Sequence, residues 1–198
     1  MNRVFISGLS GIVLVGCMTT PTQVQNENVT RYKAMSLASV KQCIDVTDNE
    51  LESTVKYSTQ SCFVAEHGMM RMKWDDGFIR AWKDKKTGIA QYQIYITDYG
   101  NNWQYPYKLN YKFGDSLESS DAEKIFSDVD CSQYGCTHRE DVGFTIKNEF
   151  LADLSDRYQD IRFDDVKFRI EKKNSENHDW TFNPAELVGL YRMVEGVE

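Results

Sequence analysis

The chain has 198 residues, 41% of them hydrophobic, with 30 acidic against 23 basic side chains and a net charge of −7. That length suffices for one sizeable hydrophobic core. The acidic balance argues against nucleic acid or anionic lipid headgroups as partners, because both are recognised through clustered Lys and Arg.

At the N-terminus, Arg3 precedes a mostly apolar run of twelve residues, 4–15. A spanning helix needs ~20 apolar residues, so the run reads as the core of a cleaved export signal. It ends in Leu14, Val15, Gly16 and Cys17, which resemble the lipobox of bacterial lipoproteins more than the small-x-small ending of an ordinary secretory signal. The resemblance implies cleavage before Cys17, a thioether-linked diacylglycerol on that cysteine and an acyl chain on its amino group. One acyl chain binds a bilayer marginally, whereas two or three anchor durably. In that family an aspartate after the cysteine retains the protein in the inner membrane; Met18 stands there instead, which implies the outer membrane of a Gram-negative cell, facing the periplasm. The expected organisation is a signal peptide over 1–16, a lipidated N-terminus and flexible tether over 17–28, and a single β-rich periplasmic domain over 29–198. Extended, the polar tether would reach roughly 35 Å.

Within the body, residues 29–40 carry a weak helical pattern and residues 51–58 alternate as a strand does. Asp76 and Gly77 predict a hairpin turn between strands 70–74 and 78–83, and residues 84–88 predict a second turn before strand 89–97. After a turn at 98–102 comes the longest alternation in the chain, with Trp103, Tyr105, Tyr107, Leu109, Tyr111 and Phe113 on one face. Sequential antiparallel pairing makes 70–113 a four-stranded meander. Pro106 has no amide to donate, so an edge or a bulge is expected there. Strands at 123–131, 141–147 and 166–171 follow, with a short helix over 149–157 and a solvated loop over 172–179. Asn183, Pro184 and Glu186 have the spacing of a helix cap, first position and capping box, and Leu187, Leu190, Tyr191 and Val194 share one face. These predict an amphipathic helix over 184–194. The expected fold is mainly β, an antiparallel meander forming a sandwich or partly closed sheet, with this helix packed on it.

Setting Cys17 aside leaves Cys43, Cys62, Cys131 and Cys136, which allow three pairings. Cys131 and Cys136 flank a four-residue stretch between two strands and can face each other across a hairpin, which leaves Cys43 to pair with Cys62. The oxidising periplasm favours such bonds. A zinc site on Cys131, Cys136 and His138 is the competing reading, but oxidised cysteines cannot ligate and no fourth ligand is specified, so no metal or other cofactor is expected.

Catalytic motifs are lacking: there is no Gly-x-Ser-x-Gly, no His-Glu-x-x-His and no phosphate-cradling glycine loop, and only His67, His138 and His178 could act as bases. The carboxylate pairs Asp75 with Asp76, Glu140 with Asp141 and Asp164 with Asp165 are sequence neighbours, which a strand points to opposite faces. Asp45, Asp48, Asn49 and Glu50 read as a solvated turn because they lack the alternation and glycine of a calcium loop.

The aromatic set Tyr92, Tyr95, Tyr99, Trp103, Tyr105, Tyr107 and Tyr111 admits two readings. Exposed rings beside Asn and Gln could stack on sugars; unbroken alternation instead favours one buried face with hydroxyls at its margin. Tyr95 is opposite in phase to Tyr92, Ile94 and Ile96, and with Tyr99, Trp103 and Tyr105 it forms the candidate binding surface. The segments Val46 to Asp48, Trp74 to Asp76, Arg80 to Gly88 and Cys131 to Cys136 resemble small uncharacterised bacterial lipoproteins with β-rich bodies; the resemblance implies a shared fold and no mechanism. The expected function is that of a lipid-anchored, noncatalytic binding or structural module of the envelope. Its expected partners are the membrane, through the lipid, and peptidoglycan or another envelope protein. The alternative is a cell-wall hydrolase with a carboxylate and histidine site assembled by the fold.

Overall fold

The computed structural model describes residues 30, 32–62 and 76–197. The lipobox with Cys17, the tether, His67, Asp75 and the strand expected over 70–74 lie outside the described residues.

Among the described residues the main elements follow in the order α1 (Leu37–Cys43), β1 (Asp45–Asp48), β2 (Thr54–Ser58), β3 (Asp76–Asp84), β4 (Ala90–Gly100), β5 (Pro106–Phe113), β6 (Ser116–Ser132), β7 (Gly135–Ile146), α2 (Asn148–Asp156), β8 (Lys167–Lys172), β9 (His178–Thr181) and α3 (Pro184–Glu195). The described strands form one antiparallel sheet that does not close, in the order β1-β2-β3-β4-β7-β6-β5-β8-β9. The mainly β fold and its C-terminal helix are as expected. The pairing within 70–113 is not: β4 joins β7 rather than β5, so two meanders, β1 to β4 and β5 to β7, meet at that seam. The seam sets Tyr92, Ile94 and Ile96 opposite Ile146, Phe144 and Val142, all buried. Alternation fixes which side of a strand is apolar but not which edges meet.

β6 is the pivot. Residues 116–121 pair with β5 and residues 122–132 with β7, so one long strand serves both halves of the sheet. The far half lies over the near one: Lys172 Nζ on β8 reaches Asp98 Oδ1 on β4 at 2.8 Å. A Cβ on Gly77 of β3 would lie 3.2 Å from Trp180 Cζ2 of β9 and 2.7 Å from Ile96 Cδ1. Gly77 is therefore a strand residue where the layers touch closely, and with Asp76 it pairs with β4 instead of forming the predicted turn.

Ile79, Ile94, Leu109, Phe144 and Phe168 line the inner face, and α3 fills it with Leu187, Val188 and Leu190, all buried. Each such side chain contributes about 1.5–3 kcal/mol. Asn183 caps α3 as predicted, accepting from the Ala185 amide at 2.9 Å, and Pro184 occupies the first turn. The β3 to β4 turn is also as read: Asp84 Oδ1 accepts from the amides of Lys86 and Thr87, and Gly88 takes φ +72°. These bonds hold the Asp84 carboxyl below the usual range.

Both disulfides form, Cys43 to Cys62 and Cys131 to Cys136, the second joining register partners of the β6 to β7 hairpin. Four local readings change. The helix expected over 29–40 is interrupted: residues 30, 32 and 33 are helical, and α1 begins anew at Leu37, where Ser36 and Ser39 form a reciprocal cap. Residues 45–48 form β1 rather than a turn, and the end of the expected loop 172–179 enters β9. The alternation of 103–113 breaks at a register shift between Pro106 and Lys108; of the edge or bulge expected at Pro106 it is the bulge that forms, since β5 lies between β6 and β8. Leu109 and Tyr111 consequently face the core while Tyr105 and Tyr107 are exposed.

Candidate functional site

The outer face of β3, β4, β7 and β6 carries a polar and aromatic array opposite the core. On β3, Arg80 and Trp82 alternate with buried Ile79 and Ala81; on β4, Gln91, Gln93 and Tyr95 alternate with buried Tyr92 and Ile94. The Arg80 guanidinium lies 4.7 Å from the Trp82 ring and 4.8 Å from the Tyr95 ring. Its Nε and Nη2 donate to Gln93 Oε1 at 2.9 and 2.5 Å, and Gln93 Nε2 donates to Glu123 Oε2 of β6 at 2.8 Å. One buried amide thus orients a cation and a carboxylate from strands that are not neighbours. Gly143 on the intervening β7 makes this possible, because a Cβ there would overlap the Gln93 amide. Partial burial lowers the Arg80 pKa from its ordinary value.

Next to this row, Tyr95 stacks on Phe78 at 4.6 Å and donates to Asp141 Oδ2 at 2.7 Å. Burial first, then the bond to Asp141, pushes the Tyr95 phenol up to about 12. Arg139 meets the same carboxylate through two bonds, at 2.8 and 2.7 Å. Tyr95 is therefore held in place by Phe78, Asp141 and the Arg80 guanidinium over its ring. Arg80, Trp82, Gln91, Gln93, Glu123 and Thr145 line a cavity of about 240 Å³ next to it.

A second constellation lies on the inner side at the end of β4 and β7. Asp98 and Glu140 are direct cross-strand partners, and His138 follows two residues along. Two carboxylates close to a histidine are what the hydrolase alternative requires, but each has another role. Asp98 is paired with Lys172, both nearly inaccessible at 3% and 8% exposure. Glu140 Oε2 accepts the amides of Gln104 and Tyr105 at 2.6 and 3.0 Å, holding the turn in which Tyr105 adopts φ +53°. His138 packs edge-on against Trp103 at 4.6 Å, and its buried Nδ1 has no hydrogen-bond partner among the described residues. No hydrogen bond links the ring to either acid, which general acid and base work would need. Glu140 and Asp141 do point to opposite faces, as expected for strand neighbours.

The four residues of the expected binding surface are therefore divided. Tyr95 and Tyr99 share the outer face of β4, whereas Trp103 and Tyr105 belong to the turn held by Glu140. Sequence reading missed Arg80, Gln93 and Glu123 as a unit. The phase that singled out Tyr95 also selects Gln91 and Gln93; the place of Glu123 depends on the β4-β7-β6 order, which no local pattern carries. Among the described residues, no group of three or more His, Cys, Asp or Glu is placed to hold a metal ion, and no helix is long and apolar enough to cross a membrane. No family model matches the chain, and comparison with curated proteins and with solved structures gives no significant match.

Proposed function

We propose that this chain is a lipid-anchored, noncatalytic binding module of the bacterial envelope, tethered through Cys17 to the outer membrane and facing the periplasm. On this reading it holds peptidoglycan or another envelope protein on the outer face of its sheet. The observation that carries the proposal is the Arg80, Gln93 and Glu123 row beside Trp82, a preorganised polar site on an otherwise regular sheet face. The hydrolase alternative is less well supported, because Asp98, Glu140 and His138 are engaged in structural contacts.

The test is retention of the full-length protein, purified in detergent, on isolated sacculi and on immobilised envelope proteins. Wild type should be retained by one of these, and Arg80→Ala should not. Loss of neither, or no retention at all, refutes the binding role. For the anchor, a palmitate analogue fed to cells should label wild type and not Cys17→Ser; equal labelling overturns the lipid assignment.

A further inference from the structure

Resting on that reading, we infer that the outer-face cavity takes a sugar ring of a glycan strand, with Trp82 as its platform and Arg80 and Glu123 as its hydrogen-bonding ends. The argument starts from Gln93, which is only 3% exposed and has both amide ends engaged. A buried amide satisfied on both sides costs little to keep and fixes its partners in one geometry. Arg80 directs Nε and Nη2 at Gln93, which leaves the Nη1 donors without a protein partner among the described residues. Glu123 uses Oε2, which leaves Oε1 without a hydrogen-bond partner among the described residues. The site therefore presents donors at one end and an acceptor at the other.

A sugar hydroxyl both donates and accepts, so adjacent hydroxyls on one ring satisfy both ends at once. The two charges cancel, and the other polar lining groups, Gln91 and Thr145, are neutral; an uncharged polyol fits this better than a phosphate or a basic peptide. A pyranose also has an apolar C–H face that can lie against the part of the Trp82 indole that the Arg80 guanidinium leaves uncovered. At about 240 Å³ the cavity is small, below the roughly 300–1,000 Å³ of a drug-sized site, which suits a single ring of a longer strand. Gly143 is the sequence's provision for this arrangement, since a side chain there would displace Gln93 and separate Arg80 from Glu123.

The experiment uses full-length protein in detergent, titrated calorimetrically with two soluble products of amidase-treated sacculi: the peptide-free glycan strands and the released peptides. Saturable binding of glycan strands is expected, weakened about tenfold or more in Trp82→Ala and in Glu123→Gln, as for an aromatic anchor and a paired acceptor. Tyr134→Ala, at the exposed hairpin tip, should bind as wild type does. Thermal midpoints measured alongside separate loss of binding from loss of folding. If the released peptides bind and the glycan strands do not, the sugar assignment falls while the binding-module reading stands. Glycan binding that is unchanged in both Trp82→Ala and Glu123→Gln overturns the assignment of this cavity. If sacculi retain the protein and neither product binds, the sugar assignment falls as well.

Discussion

Glu186 offers the most direct physical test of the fold. It sits in the first turn of α3, fully buried, with Oε1 accepting from Thr59 Oγ1 at 2.6 Å and Oε2 from the Tyr32 hydroxyl at 2.5 Å. Burial outweighs these bonds, and with Asp76 nearby it pushes the carboxyl from 4.5 up to about 7. Because the folded value lies above the unfolded one, the native state binds the extra proton between them. The resulting stability is complete below about pH 4.5 and is lost as pH rises to about 7. The gap corresponds to ~3 kcal/mol for this fully buried group, or a fall in melting temperature of about 6–12 °C for a domain of this size. Glu186→Gln should remove most of that slope. The site can accept the amide, since Gln oxygen can take the Tyr32 hydroxyl while Thr59, already 3.1 Å from the Ile79 carbonyl, turns its proton there and accepts from the new NH₂. The assay is denaturant and thermal unfolding of both proteins from pH 5 to pH 8. Wild type should lose stability across that range and Glu186→Gln should stay nearly level. Parallel curves for the two proteins would refute the assignment of the proton to Glu186.

Asp98→Asn should leave Lys172 buried without its counter-charge and cost about 3–5 kcal/mol; an unfolding free energy from urea titration within about 1 kcal/mol of wild type would show that the pair is dispensable. Replacing Cys43 and Cys62 together by Ser should cost ~3 kcal/mol on the chain-entropy model for a separation of 19 residues. The Cys131 and Cys136 pair closes a separation of only 5 and should cost less, a ranking that unfolding of the two double variants will check. Gly143→Ala should destabilise by about 1–3 kcal/mol, because its Cβ displaces the buried Gln93 amide from Arg80 and Glu123, a loss the fold should survive. It should nevertheless lose retention on envelope material as Arg80→Ala does, and wild-type retention by this variant would argue against the Gln93 row as the site.

Each feature legible in the sequence rests on residues close together in the chain. The Asp84 turn, the Asn183 cap, the strands of β4 and β7 and the hairpin disulfide were all readable, because their spacing is set by 2-residue and 3.6-residue periodicities and by turn chemistry. Glu186 marks the limit of such reasoning. Its position predicted a bond back to the Asn183 amide, but that amide donates to Tyr32 and the carboxyl turns to Thr59, 127 residues away. Pro106 by itself predicts an edge or a bulge, but the exposure of Tyr105 and Tyr107 follows only from the actual register.

A mainly β chain with a C-terminal helix and two disulfides is readable from the residues alone, since periodicity, capping and cysteine spacing are local properties. That β4 meets β7, and with it everything on the outer face, emerges only when the strands pack. Arg80 to Gln93 spans 13 residues and Gln93 to Glu123 spans 30. Strand alternation states which face a side chain takes and carries no information about which strand lies beside it. The order of the edges was settled by burying the β4 and β7 apolar rows together, and the polar groove is what that choice left on the other side.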